Sequence, residues 1–343
     1  MRAFLLALVA FFAALAGAAR AEPEADFFKS HSVTLYIGYA PGGGYDLQCR
    51  IFAAHLGEHL PGNPVVVPKN QPGAGSLRLA NELYNILPKD GTALGMIGEA
   101  LVLQQVLGAP QVAFDATKFE WIGRIVESGS VLVVRPDAPI ATIEDALRHE
   151  TTIGVPGAGS VNALTLNVLD QVLGTKFKLV SGYEGSAQIR LAVERGELQG
   201  SGSTPWPVDK RWVLEQKLRP IAQETLEPTL DPDLSGVPTV LQLARNDDER
   251  ALFRFFWLYT VIGRSIVAPP GLPVARLAVL RAAFDATVAD PQFIADAKKA
   301  DLDLAIMDGE KLAALIRDAV SLKGPVLAEA KRVAGFTASN QQP

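Results

Sequence analysis

The alternating pattern of the chain begins at residues 33–46, which read VTLYIGYAPGGGYD. The apolar, aromatic run Val33–Ala40 predicts a β-strand, and the glycines after Pro41 predict a tight turn. Apolar residues then recur at helical spacing from Asp46 to about Leu60, which predicts a helix with one buried face. Strand, glycine-rich turn and helix in this order are typical of a parallel α/β unit.

The same order recurs along the chain. Three further glycine-rich turns precede predicted helices, at residues 70–75, 156–159 and 182–185. Ser76 and Ser160 are predicted N-caps of the helices that follow two of these turns. Ligands of parallel α/β sheets bind beyond the carboxyl ends of the strands, where all four turns are expected. Two turns fall in each half, so the sequence predicts two α/β sheets that face each other.

The turns predict an anion site. Free backbone N–H groups and the helix dipole at a helix start can bind a carboxylate or phosphate without an arginine. Asp46 admits two interpretations: it caps its helix, or it orients the turn and accepts a hydrogen bond from a ligand. Nucleotide binding is not favoured, because the chain has no Gly-Lys-Ser/Thr, and Gly154–Gly159 does not match G-x-G-x-x-G.

Composition excludes several classes of protein. The chain has 343 residues, 48% of them hydrophobic and 20% charged, which is a globular balance. A net charge of −5 argues against a nucleic-acid surface. The single cysteine, Cys49, excludes an intramolecular disulfide and falls on the apolar face of its predicted helix, so it is predicted to be a core residue.

Residues 1–21 are predicted to be a signal peptide. Arg2 precedes an apolar run, Ala3–Ala16, that is too short to span a bilayer, and Ala19-Arg20-Ala21 supplies an A-x-A cleavage pattern. The exported chain would begin at Glu22. It would be soluble and free of a lipid anchor, because no cysteine lies at the cleavage site. The predicted location is the periplasm.

One motif suggests a metal site. His55, Glu58 and His59 form an H-x-x-E-H pattern that places both imidazoles on one side of a helix. A secreted metallohydrolase is therefore an alternative hypothesis. The motif lies about 15 Å along the helix from the glycine-rich turn, at about 1.5 Å per residue, which separates it from the predicted anion site.

Several segments resemble signatures of the tripartite tricarboxylate transporter receptors, the Bug family of bacterial extracytoplasmic solute-binding proteins. Tyr39–Asp46 with Arg50 resembles the first signature. Val65–Val67 followed by Asn70–Ser76 resembles the second, and Pro88–Thr92 resembles the third. Later landmarks with the same resemblance are Gly182–Ala187, Arg195–Glu197, Val237–Thr239 and Ala268–Pro273.

The resemblance implies the α/β fold of type II periplasmic binding proteins, with two α/β lobes and a hinge that the chain crosses twice. It implies a first lobe over residues 22–134, a second over 135–254, and a return to the first over 255–343. A strand near Phe256–Val267, expected from its apolar pattern, would open this return, and C-terminal helices would complete it. Asp308 is the predicted cap of one of these helices.

The family binds small carboxylates between the lobes, largely through backbone N–H groups, hydroxyls and waters. The resemblance implies these ligand-binding residues: Tyr39, Gly43, Gly44, Asp46, Gly73, Ala74, Gly75, Ser76, Gly159, Ser160, Tyr183, Ser186 and Ser203. The implied protein is a monomeric receptor, not an enzyme, that needs no cofactor. It would deliver its ligand to the membrane subunits of a tripartite tricarboxylate transporter. A receptor that signals without transport is an open alternative.

The sequence departs from the family pattern at positions that bear on the ligand. Ser76 stands where many members have glycine, and Tyr45 stands where threonine is common. Gln188 and Arg190 lie in a region that varies with the ligand. Arg190 is either a specificity contact or a solvated helix residue. These departures leave the identity of the carboxylate open.

Overall fold

A computed structural model describes residues 24–155, 160–183, 186–228 and 231–335, without the side chains of 186, 187, 207 and 208. The predicted signal peptide and Gly159 lie outside the described residues. Among the helices that are described, none combines the length and the apolarity needed to cross a membrane.

Six strands form the first sheet: β1 (Val33–Ile37), β2 (Val66–Asn70), β3 (Ala93–Met96), β4 (Glu120–Val126), β10 (Arg264–Ala268) and β11 (Leu304–Asp308). Their order across the sheet is β11-β4-β10-β3-β1-β2. β1 is parallel to β2 and β3, whereas β10 is antiparallel to β3 and β4. The carboxyl ends of β1, β3 and β4 and the amino end of β10 therefore lie at one edge.

Five strands form the second sheet: β5 (Ser130–Val134), β6 (Thr151–Gly154), β7 (Phe177–Val180), β8 (Gly200–Pro205) and β9 (Arg219–Glu224). Their order is β7-β6-β8-β5-β9. β6 is parallel to β7 and β8, and β5 is antiparallel to β8 and β9. The carboxyl ends of β6 to β9 and the amino end of β5 share one edge.

Helices connect and cover the strands. They are α1 (Glu24–Ser30), α2 (Gly44–His59), α3 (Leu77–Asn85), α4 (Leu101–Leu107), α5 (Val161–Leu173), α6 (Ser186–Glu194), α7 (Trp206–Leu214), α8 (Asp247–Phe256), α9 (Leu258–Ile262), α10 (Val274–Ala289), α11 (Pro291–Lys299), α12 (Gly309–Val320) and α13 (Gly324–Val333). The predicted cap Asp308 is confirmed, since its carboxylate accepts from the backbone N–H of Lys311 at 2.8 Å. Cys49 is buried, as predicted.

The predicted strand near Phe256–Val267 is wrong over its first part. Residues 247–256 and 258–262 are helical, and the strand starts only at Arg264. Asn246 caps α8 by accepting from the backbone N–H of Glu249 at 2.9 Å, and three acidic residues occupy the first turn. These features stabilise the start of α8, and most of the apolar residues that suggested a strand belong to α9, where Leu258, Tyr259 and Ile262 are buried.

The chain passes from the first sheet to the second at residues 127–129 and returns between β9 and β10. The predicted lobe boundary after Val134 lies later than this passage, because β5 pairs with β8 and β9. The last helix, α13, packs against α4 as well as against α5 and α8, so it contacts helices associated with both sheets. The exact division of the chain into lobes stays a prediction.

Candidate functional site

The carboxyl edges of the two sheets meet at the first passage of the chain. Arg264 at the start of β10 lies opposite Val126, and Ser130 at the start of β5 lies opposite Glu224. Between them, the backbone N–H of Ser128 donates to the carbonyl oxygen of Thr260 at 3.0 Å. We call this region the inter-sheet edge; it comprises Gly98, Glu99, Ser128, Ser130, Ser203, Glu224, Tyr259 and Arg264.

The first glycine-rich turn is held by Asp46. Its carboxylate accepts from the backbone N–H of Gly42 at 2.9 Å, from Arg50 Nε at 2.8 Å and from Asn70 Nδ2 at 2.8 Å. The hydrogen bond from Arg50 is the main reason that the pKa of Asp46 falls to about 2. The capping position belongs to Gly43, so Asp46 orients the turn and does not cap α2. The exposed residues Gly43 and Gly44 lie at the start of that helix.

The second turn has an unusual backbone. Gly73, Ala74, Gly75 and Ser76 all have positive φ, at 148°, 47°, 61° and 75°. Ser76 occupies the N-cap position of α3 as predicted, but its backbone is left-handed and its side chain makes no capping hydrogen bond. Ser76 is fully buried, and its Oγ accepts from the backbone N–H of Gly98 at 3.0 Å. The turn is thereby fixed to the end of β3, and Ala74 and Gly75 remain exposed.

A cluster of aromatic and charged side chains lies between the first turn and the passage. The rings of Tyr39 and Tyr45 stack with centroids 4.0 Å apart, and Arg264 Cζ lies 3.9 Å from the Tyr45 centroid. Arg264 Nη1 forms an ion pair with Glu99, which also accepts from Ser128 Oγ. The backbone N–H of Glu99 donates to Tyr45 Oη at 3.2 Å. Sequence analysis did not single out Glu99 or Arg264.

A buried carboxylate occupies the second-sheet side of the edge. Glu224 is inaccessible to solvent, and burial raises its pKa to about 7. It accepts from the backbone N–H and, at 2.8 Å, the hydroxyl of Ser203, whose φ is 53°. Ser203 Oγ also lies 2.7 Å from Thr165 Oγ1. The predicted ligand residue Ser203 is therefore already bound to protein groups that sequence analysis missed.

Tyr259 lies between the acidic groups of the two sheets. Its pKa is raised well above its ordinary value, first by burial and then by the charges of Glu224 and Glu99. The hydroxyls of Tyr259 and Ser130 are buried, and within the described residues neither forms a hydrogen bond of standard geometry. Ser130 and Ser203 nevertheless lie close enough to Tyr259 to lower its pKa. Tyr259 therefore lies close to both the Glu99 side and the Glu224 side of the inter-sheet edge.

The predicted ligand-binding residues Ser160, Tyr183 and Ser186 lie outside the cluster at the inter-sheet edge. Ser160 is confirmed as the N-cap of α5, since its hydroxyl accepts from the backbone N–H of Ala163 at 3.2 Å. Tyr183 is half-buried against an apolar cluster of the second sheet. Ser186 begins α6, and its side chain is outside the described part.

The two variable positions on α6 differ in their surroundings. Gln188 is exposed on this helix. Arg190 Nε lies 3.7 Å from the buried carboxylate of Asp209, and its guanidinium lies over Trp212. Arg190 therefore packs against side chains of α7.

The H-x-x-E-H motif holds two helices together. His55 Nε2 lies 3.1 Å from Asp296 Oδ2, and His59 Nε2 lies 2.9 Å from Asp290 Oδ2. Asp290 and Asp296 are the cap and a residue of α11, so each imidazole binds a separate carboxylate of that helix. In the described part of the chain, no group of three or more His, Cys, Asp or Glu side chains could hold a metal ion.

Comparison with known proteins identifies the family. The model of the tripartite tricarboxylate transporter family receptor matches residues 49–331. The chain belongs to this family. Its members are periplasmic solute-binding proteins, and a role other than catalysis is supported at the level of the family. A Cupriavidus necator protein described as "UPF0065 protein in gbd 5'region" is 26% identical over 315 residues, which cover 90% of each chain.

Solved structures confirm the fold. A solute-binding protein from Polaromonas, determined without ligand, has a TM-score of 0.68 and 21% identity, and covers 90% of this chain and 99% of its own. An R. palustris protein determined with adipate has a TM-score of 0.63 and 20% identity, and covers 89% of this chain and 98% of its own. The expected two-lobed periplasmic binding protein fold is thereby confirmed.

Proposed function

We propose that this protein is a periplasmic receptor that captures a small organic carboxylate between its lobes and delivers it to the membrane subunits of a tripartite tricarboxylate-type transporter. The convergence of the two carboxyl edges at one passage of the chain carries this proposal, because ligands of α/β sheets bind there. Family membership supports it. Export by the predicted signal peptide and a monomeric state belong to the same proposal.

Binding would use the helix starts at this edge. α2 presents free backbone N–H groups beyond Gly43, and Asp46 fixes the turn that precedes them. The exposed residues Ala74 and Gly75 offer a second approach to the ligand. A ligand that contacts both lobes would favour a closed conformation by its differential affinity for that state.

A thermal-shift screen tests the binding step. The probes are succinate, glutarate, adipate and benzoate, each compared with its uncharged amide. A bound carboxylate at about 100 times its Kd stabilises the folded state by about 2.7 kcal/mol, so melting should rise for the acid and not for the amide. Failure of every acid to raise the melting temperature would contradict carboxylate capture, and native mass spectrometry would test the monomeric state.

Delivery requires a separate experiment. Cells that express the transporter's membrane subunits would be assayed for uptake of the carboxylate that binds, with and without this receptor. Receptor-dependent uptake is the expected result. Carboxylate binding without any effect on uptake would favour a receptor that signals without transport.

A further inference from the structure

Arg264 is a cation at the inter-sheet edge whose hydrogen bonds to the described residues use only part of its donor capacity. A guanidinium carries five N–H donors. Nη1 donates to Glu99, the guanidinium lies over the ring of Tyr45, and it also hydrogen-bonds the Tyr45 side chain, which leaves some of the five donors for a ligand. The side chain is 15% exposed, so an external acceptor can reach it. A planar donor fork of this kind matches the two oxygens of a carboxylate.

The position of Arg264 agrees with such a role. It is the first residue of β10, beside the ends of β3 and β4. Its guanidinium covers the ring of Tyr45, which stacks on Tyr39. The stacked tyrosines restrict the rotamers of the arginine, so less conformational entropy is lost when an anion binds. The anion would lie between the first glycine-rich turn and the passage to the second sheet.

Glu99 occupies part of the same donor set. Its carboxylate accepts from Arg264 and from Ser128 Oγ, and its side chain is also 15% exposed. A ligand carboxylate at Arg264 must therefore share the guanidinium with Glu99 and tolerate a like charge beside it. Glu99→Gln would remove the competition for the guanidinium and the like charge. The glutamine side chain would still accept the hydrogen bond from Ser128.

We propose that Arg264 binds the ligand carboxylate directly and that Glu99 determines specificity by competing for the same guanidinium. This inference rests on the proposed carboxylate-binding function. It adds a charged contact to a site that the turns alone predict to bind anions through backbone N–H groups.

Calorimetric titration of four variants tests the inference, with the acid from the thermal-shift panel that stabilises the wild type most. Arg264→Gln should weaken binding at least tenfold, and Arg264→Lys should fall between it and the wild type because it keeps the charge and loses the fork. Glu99→Gln should bind severalfold more tightly. The double variant Glu99→Gln/Arg264→Gln should bind like Arg264→Gln, because the gain requires the guanidinium.

Two controls separate binding from folding. Arg332 forms a surface ion pair with Glu329 on the solvent-facing side of α13, so Arg332→Gln removes an arginine–glutamate pair far from the edge and should leave binding unchanged. Melting without ligand, together with circular dichroism, shows whether each variant folds. Glu99→Gln serves as the second variant if Arg264→Gln does not fold.

The outcomes are distinct. Wild-type affinity in a folded Arg264→Gln variant would contradict the contact. Weaker binding by Glu99→Gln would show that Glu99 holds Arg264 in place and does not compete with the ligand. If no acid binds the wild type, the proposed function fails together with this inference, whereas binding that survives Arg264→Gln overturns this inference alone.

Discussion

Glu224→Gln should change how stability depends on pH. Glu224 has no access to solvent, and its carboxylate accepts from the backbone N–H and the hydroxyl of Ser203. Burial raises its pKa from 4.5 to about 7. The folded state therefore holds this proton at pH values where the unfolded state has released it. The contribution of Glu224 to the free energy of unfolding is therefore fully present below about pH 4.5 and is lost as pH rises through 7.

The magnitude follows from the shift. A change from 4.5 to about 7, at about 1.4 kcal/mol per pKa unit, corresponds to roughly 3 kcal/mol between pH 4.5 and pH 8. Glutamine resembles the protonated carboxyl in shape and hydrogen bonding, so the variant lacks the loss of stability that Glu224 causes across this range. Relative to the wild type, Glu224→Gln should gain about 3 kcal/mol between pH 4.5 and pH 8.

Urea denaturation at half-unit steps of pH measures this difference. Asp170→Asn is a matched control, because burial raises the pKa of Asp170 to about 6 and the group lies at the end of α5, away from the inter-sheet edge. Its effect should be complete near pH 7, whereas that of Glu224→Gln should continue to pH 8. Parallel stability curves for wild type and Glu224→Gln would refute the reasoning, since they would show that Glu224 is ionised in the folded protein.

Three further outcomes are expected. Ala74→Trp should abolish carboxylate binding in calorimetry without changing the circular dichroism spectrum, because the turn is exposed; normal affinity would remove this turn from the site. Ser76→Ala should cost about 1–3 kcal/mol in urea denaturation, since the buried N–H of Gly98 loses its acceptor, and an unchanged midpoint would contradict that role. His59→Ala should lower stability slightly by releasing Asp290 and should leave carboxylate binding intact. Stoichiometric zinc in the wild type, lost in this variant together with a hydrolytic activity, would instead favour the metallohydrolase hypothesis.

Local patterns in the sequence predicted most elements of both sheets. Periodicity and glycine-rich turns identify β1, α2 and their counterparts because these signals depend on residues close in the chain. Ser76 holds the predicted N-cap position without a capping hydrogen bond from its side chain, because a residue's type does not fix its φ, which is 75° here. The strand assigned to residues 256–262 failed because a short apolar run is compatible with a buried helix as well as with a strand.

Local sequence patterns could not predict the contacts among the charged groups of the inter-sheet edge. Glu99 and Arg264 are 165 positions apart, and only the order of the strands brings them together. Glu224 and Ser203 meet for the same reason. A signal was nevertheless present: Glu224 lies two residues after the apolar pair Ile221–Ala222, and an arginine follows Gly263 at the start of a strand. Charged residues at strand ends on the ligand-binding edge were the positions to examine.

The pairing of charges explains how an acidic protein can bind an anion. The full chain carries −5, yet the acids near the turns are compensated by local partners: Asp46 by Arg50, and Glu99 by Arg264. Glu224 binds its proton up to about pH 7. Exposed charges farther than about 8 Å are largely screened at physiological ionic strength. An approaching carboxylate therefore responds to helix starts and to the guanidinium of Arg264, and the acidity of the distant surface has little influence on it.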